Sequence, residues 1–349
     1  MWTENQIFLD DLDSVSQCGF LDWEKFRNKS FFVTGATGLI GYTVCSALLY
    51  ADRKRGLGLH VTALARDATA ARCKYRGQIA DGCPLSFVIG NTESLPPVDV
   101  PVDFIVHCAA PTASRYFVSN PVETIRDIVH GTEEVLKLAK ERRAEKVVYL
   151  SSMEVYGQVL NRSALDETML GYLDPIPVRS SYPEAKRLAE ALCSAYAAEY
   201  GVPAVAARLA QTFGPGVRRD DGRVFAYMAR CALDGQDIRL DTDGTKENMY
   251  LYTMDASSAI LALLSRGEAG KAYNVANPKT FCSVKRLGEI ASGALSGGKS
   301  TVLTGCGGPE NNFFRPEGSL ALDVSKLSAL GWSPKKGLPE MFRAMAACF

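Results

Sequence analysis

From residue 30 onward the chain falls into short apolar runs, at 31–34, 61–64, 85–89, 104–108, 146–151 and 202–208, separated by longer stretches of mixed polarity. Each run is too short for a helix and too uniformly apolar to keep one face wet, which predicts strands buried on both faces, as in a parallel sheet. The intervening segments 40–51, 121–143 and 182–200 carry apolar residues at helical spacing. Strand alternating with helix predicts a doubly wound α/β (Rossmann) fold. After Gly214-Pro215 the alternation loosens into Gly- and Asp-rich segments, with one late strand pattern at 272–275. The organisation expected is therefore a helical N-terminal extension (1–28), a dinucleotide-binding domain (29–210), and a smaller α/β substrate-binding region (211–349) with segments returning to the first domain.

Length and charge narrow the classes. A chain of 349 residues is long enough for a cofactor domain with a substrate region grown onto it. Its 39 basic and 39 acidic side chains cancel, so no global field draws it to nucleic acid or an anionic bilayer, and any anionic ligand must be held by local groups. The N-terminus has neither a basic n-region nor an apolar h-region, and no later run reaches about 18 apolar residues. A cytoplasmic protein without membrane or nucleic-acid partners is expected. The ten cysteines contain no C-x-x-C pair and read as reduced thiols; with only three histidines and no ligand spacing, no metal site is expected.

The first chemistry lies at Thr34-Gly35-Ala36-Thr37-Gly38-Leu39-Ile40-Gly41, a strand, a glycine turn and a helix start. Glycines at Gly35, Gly38 and Gly41 let backbone approach a pyrophosphate, and the N–H groups opening the helix at Leu39 and Ile40 face the anion. The strand-before, helix-after context makes dinucleotide binding the reading, over a ligand-free glycine turn. The second strand ends Ala65-Arg66, where NAD-preferring sites commonly carry an acid. Arg66 suits a 2′-phosphate, and Asp67 is near enough to supply the missing acid, so NAD and NADP both stay open. A formal ATP-loop pattern at 293–300 follows a helical pattern and precedes a β-prone run, the reverse of the order such a loop needs.

The second constellation is Ser151-Ser152 at a strand end and Tyr182-x-x-x-Lys186 at a helix start, with the Tyr and Lys one turn apart. A phenol titrates near 10, so the expectation is that an adjacent ammonium and a positive nicotinamide ring lower it. Tyr182 then takes a proton from a carbinol while Ser152 hydrogen-bonds the same oxygen. Taken singly, Tyr182 reads as a core aromatic and Lys186 as a solvated helix residue; the combination outweighs those readings.

Together, Thr34 to Gly41, His107-Cys108-Ala109-Ala110, Ser152 and Tyr182 with Lys186 resemble the extended short-chain dehydrogenases/reductases of the nucleotide-sugar epimerase/dehydratase family. The resemblance implies a tightly bound, recycled NAD or NADP held by Gly35, Thr37, Gly38, Leu39, Ile40, Gly41, Arg66, Ala109, Ala110 and Lys186. It also implies a nucleotide-diphosphate sugar substrate, with a UDP-sugar favoured, and a homodimer built on two long helices, 121–143 and 182–200.

Family members share a 4-keto sugar intermediate. The 4,6-dehydratases place Asp-Glu after the catalytic hydroxyl; here Met153 cannot donate a proton, whereas Ser152-Met153-Glu154 resembles the UDP-glucuronate decarboxylases. Glu154 is then expected among the catalytic residues, set against a structural carboxylate. The resemblance places substrate contacts at Pro111, Gln211, Arg223, Asn248 and Arg315. Asn248 stands where an arginine is common, and Gln211 where an asparagine is. The readings to be separated are a decarboxylase, a C4 epimerase, a net NADP-dependent reductase, and a non-catalytic cofactor sensor, the last disfavoured by retention of Tyr182 and Lys186.

Overall fold

The computed structural model describes residue 2 and residues 5–159, 164–307 and 319–349. In chain order the strands are β1 (Ser30–Thr34), β2 (His60–Ala65), β3 (Leu85–Ile89), β4 (Phe104–His107), β5 (Lys146–Ser152), β6 (Ala204–Leu209), β7 (Gln211–Phe213), β8 (Ile238–Arg239), β9 (Glu247–Tyr252), β10 (Ala272–Val275), β11 (Asn277–Ser283) and β12 (Val302–Leu303). Seven of them form one sheet in the order β10-β6-β5-β4-β1-β2-β3, every neighbouring pair parallel. Chain progression reverses direction between β1 and β4, and in such sheets ligands bind beyond the carboxyl ends of the strands at that reversal.

Burial on both faces explains the apolar runs of β1, β2, β4, β5 and β6, whereas the run of β3 lies at the sheet edge, half-buried, with Ile89 exposed. Phe31 and Val33 point into one cluster and Phe32 into the other, on opposite sides of the sheet. One layer contains the helices Pro121–Arg142 and Ser181–Tyr200, packed on each other; the other contains Leu39–Arg55 and Thr253–Arg266. Helix Leu39–Arg55 ends on Gly56 in the left-handed conformation, with Arg53, Lys54 and Arg55 in its last turn opposing the negative end of its dipole.

The N-terminal segment belongs to this core. Asn5 caps the helix Gln6–Ser16 by accepting from the Phe8 N–H, and Phe8 stacks on Tyr42. Phe26 meets Phe31 and Phe104 edge-on at 5.3 and 5.2 Å, which closes the amino ends of β1 and β4 on the side away from the crevice.

Beyond β6 the chain enters a second sheet, β11-β9-β7, before β10 returns to the edge of the large one. Gln211 opens β7 directly after the strand that pairs with β5, so the second sheet is anchored beside the carboxyl end of Ser152. The ATP-loop lookalike is the end of helix Val284–Ser296 with Gly297 as its left-handed cap, so it presents helix carbonyls, not N–H groups, to any ligand. All ten cysteines are free thiols. Among the described residues no helix is long and apolar enough to cross a membrane.

Candidate active site

The glycine turn is closed by contacts that only glycine permits. Gly35 sits at φ 60°, and a Cβ there would lie 2.8 Å from both Ala109 N and Cys108 C; one on Gly41 would lie 2.4 Å from the Gly35 carbonyl oxygen. Gly38 precedes the helix with no side chain to cap it, and the first intrahelical bond runs from Tyr42 N to the Gly38 carbonyl. The N–H groups of Leu39, Ile40 and Gly41 are thus left without helix carbonyls, the arrangement that holds a pyrophosphate. Thr37, Leu39 and Ile40 are partly exposed at this opening. The residues fit a dinucleotide.

A buried hydrogen-bond chain joins this loop to the H-x-A-A segment. Thr34 Oγ1 accepts from Ala109 N at 3.1 Å and lies 2.7 Å from His107 Nδ1, while His107 Nε2 lies 3.2 Å from Thr132 Oγ1, whose hydroxyl donates to the Ile128 carbonyl at 2.6 Å. The directions are mutually consistent only if Thr34 donates to Nδ1 and Nε2 carries the proton. Burial, then the charge of Lys186, pushes the imidazole down to about 3, so His107 is neutral and structural.

At the end of β2, Arg66 is exposed and Asp67 caps the helix Ala68–Lys74, accepting from Ala70 N at 2.8 Å. One oxygen of Asp67 is therefore taken up by the backbone. Arg66 acts electrostatically on Asp127, whose carboxyl is raised to about 6 by burial and by its neighbour Glu93. Carboxylates beside Arg66 weaken its attraction for a 2′-phosphate.

Ser152, Glu154, Tyr182 and Lys186 are brought together at the carboxyl end of β5. Ser152 ends β5, and its Oγ accepts from Glu154 N at 3.2 Å, which starts the single turn Met153–Tyr156. Tyr182 lies in the first turn of helix Ser181–Tyr200 with its ring stacked on Phe117 at 4.2 Å and an interplanar angle of 9°. Lys186, only 3% exposed, donates from Nζ to the Leu150 carbonyl at 2.7 Å and lies over the Tyr149 ring.

The expected acidification of the phenol by its lysine is not what the protein alone produces. Burial raises the Tyr182 phenol above its ordinary value, the Glu154 charge raises it further, and the hydrogen bond with Ser152 and the Arg179 cation oppose this. Burial likewise pushes Lys186 down to about 7. The physical reason is that the site is desolvated, which penalises phenolate and ammonium alike.

The predicted substrate contacts are less tightly grouped. Gln211 is half-buried on β7 opposite Tyr250 of β9, and Asn248, buried, lies two residues along the same strand. Pro111 is partly exposed just past the H-x-A-A segment. Arg223 is held by Asp221, with Nη2 to Oδ2 at 2.7 Å, and stacks over Phe225. Arg315 lies outside the described residues.

Sequence reading missed Arg179, whose Nη2 donates to both oxygens of Glu154 at 3.0 and 2.8 Å and whose guanidinium lies over Phe117. Its place three residues before Tyr182 is the only sequence signal, and it carries no mark of a carboxylate partner 25 residues away. Phe117, the platform for Tyr182, was missed for the same reason.

The profile described as NAD dependent epimerase/dehydratase family matches residues 31–276. UDP-glucuronic acid decarboxylase 6 of Arabidopsis thaliana is 30% identical over 326 residues, 90% of each chain. Among solved structures, the UDP-glucuronic acid 4-epimerase of Bacillus cereus, in complex with UDP-glucuronic acid and NAD, superposes with a TM-score of 0.74 at 23% identity, covering 91% of this chain and 98% of its own. The dTDP-glucose 4,6-dehydratase of Streptomyces venezuelae superposes with a TM-score of 0.76 at 24% identity, covering 90% and 96%.

Proposed function

Because the chain belongs to the NAD dependent epimerase/dehydratase family, we propose that it is a nucleotide-sugar enzyme that decarboxylates a UDP-hexuronate through a 4-keto intermediate. The observation that carries the reading is Glu154 at the second position after Ser152, beside Tyr182 and clamped by Arg179, with the inert Met153 buried between them. A dehydratase needs a proton donor where Met153 stands.

When bound in the seat formed by Gly35, Gly38, Leu39, Ile40 and Gly41, NAD supplies the oxidising and reducing equivalents and a positive ring that favours the phenolate. Tyr182 Oη removes the proton of the sugar C4 hydroxyl, and Ser152 holds the same oxygen in place. Lys186 binds the cofactor ribose and, when protonated, favours the charged phenol. With C4 a ketone, the C5 carboxylate is a β-keto acid: the C5–carboxyl bond breaks, CO₂ leaves, and the electron pair is delocalised onto the ketone oxygen. Glu154, oriented by its two bonds from Arg179, relays the proton that C5 then takes up. Gln211, Asn248, Pro111, Arg223 and Arg315 are assigned to the nucleotide diphosphate and sugar.

Incubating the protein with NAD and UDP-glucuronate is expected to release CO₂ and leave a pentose nucleotide, read by mass spectrometry. A second reading is a C4 epimerase, supported by the superposition on the UDP-glucuronic acid 4-epimerase of Bacillus cereus; Asn248, where the family commonly has an arginine, leaves room for a different nucleotide or sugar. Product of unchanged mass would establish that reading against the first.

A second copy of this chain is proposed to cover the two long helices. Val122 and Ile125 on helix Pro121–Arg142 and Leu188 on helix Ser181–Tyr200 are 53%, 44% and 50% exposed, an apolar surface on helices already packed together. Sedimentation equilibrium is expected to give twice the chain mass, and Leu188→Glu to give the single mass; a parent that sediments as a monomer rejects the pairing.

A further inference from the structure

Three neighbouring strands of the large sheet carry polar residues at one level. Ser151 on β5 lies opposite Arg208 on β6, and Arg208 lies opposite Asn274 on β10. All three are buried beneath or beside the helix Ser181–Tyr200, where apolar side chains would ordinarily fill the layer. Arg208 donates to Glu190 of that helix from Nη2 at 2.7 Å and from Nε at 3.0 Å, and from Nη1 to the Tyr156 hydroxyl at 3.1 Å and the Glu167 carbonyl at 2.8 Å. Glu190 also accepts from Ser151 Oγ at 2.5 Å, and the Tyr156 hydroxyl donates to Asn274 Oδ1 at 2.7 Å.

A buried ion pair is a poor source of stability, because desolvating both charges offsets most of their attraction. Its position is more telling. Glu190 is one helical turn beyond Lys186 and on the same face. Ser151 sits between Leu150, whose carbonyl receives the Lys186 ammonium, and Ser152.

We infer that Glu190, fixed by Arg208 and Ser151, is a positioning residue for Lys186: it supplies the charge that keeps this desolvated amine protonated, while its bond to Ser151 holds the strand end that presents Ser152. The inference rests on the catalytic reading of Lys186 given above. The groups around the amine leave Glu190 as the anion. From β4 and its end come His107, which is neutral, and Cys108; from β5 the Leu150 carbonyl and the Tyr149 ring; from its own helix the Tyr182 ring, Glu190 and Cys193. Both thiols are themselves pushed well up by burial and stay protonated.

The test is a pH titration of the full chain labelled with isotopic lysine, the Lys186 resonance being assigned by its loss in Lys186→Met. Glu190→Gln is expected to lower the Lys186 midpoint by about one pH unit or more, the size of a close charge effect, and to move the alkaline limb of kcat/KM by the same amount; Glu190→Asp restores part of both. A midpoint unchanged in Glu190→Gln overturns the inference, even if activity falls. Should that variant fail to fold, Glu190→Asp, which keeps the charge one methylene farther from the amine, is judged by a smaller downward shift of the same midpoint, and no shift overturns the inference. Because the titration needs no turnover, it is separate from the reading beneath it: an active Lys186→Met sinks that reading, whereas an unmoved midpoint sinks this inference alone.

Discussion

Tyr182→Phe is expected to lower turnover by about 10²–10⁴-fold, the range for loss of a positioned acid–base group, while the melting temperature and NAD binding stay at parental values. The substitution removes one oxygen and keeps the ring. The ring is what the fold uses: it lies flat on Phe117 at 4.2 Å and fills the space beneath helix Ser181–Tyr200. The hydroxyl, by contrast, is held in the proton-bearing form by burial and by the Glu154 carboxylate, so it becomes a base only when the bound nicotinamide and the Lys186 ammonium favour the phenolate. Single-turnover rates, thermal melts and NAD titrations of parent and variant check the expectation together. Parental rates in Tyr182→Phe would remove this phenol from the chemistry and the proposed mechanism with it.

Lys186→Met is expected to abolish turnover and yet to melt a few degrees higher than the parent at neutral pH. The parent buries an amine whose proton affinity has fallen to about 7, whereas an unfolded lysine keeps its proton to about 10.4. Between those values the unfolded chain binds more protons, so parental stability rises with pH across that window. Below it, the native state carries the full cost of a desolvated ammonium. Methionine has similar volume and no charge. It forfeits the bond to the Leu150 carbonyl, worth about 1 kcal/mol, but removes a burial cost of order 1–3 kcal/mol. The difference in melting temperature is therefore expected to be largest near and below neutrality and to vanish toward pH 10; a variant that melts lower than the parent at neutral pH would show that Lys186 is held for stability. A residue that costs stability and is lost only with activity is the signature of a site maintained for its chemistry.

The two variants separate two kinds of information in this protein. Whatever depends on residue type at short range could be read along the chain: the apolar runs become strands, buried on both faces except at the edge strand β3, and Gly35 and Gly41 announce backbone that must come close to its neighbours. The order of Ser152, Tyr182 and Lys186 was legible for the same reason, since a strand end and one helical turn place each of them. What the chain could not disclose depends on partners far away in sequence or on the medium that folding creates. Arg179 is a carboxylate clamp only because Glu154 is folded against it; Arg208 and Glu190 meet only once β6 lies beside β5 under the same helix. Asp67 is drawn to a helix start, and Tyr182 and Lys186 shift in proton affinity because desolvation outweighs the neighbours that oppose it. Residue identity set the fold and named the reacting groups; the tertiary structure alone decided how each is charged, because charge in a protein is fixed by burial and by neighbours that the linear order does not place.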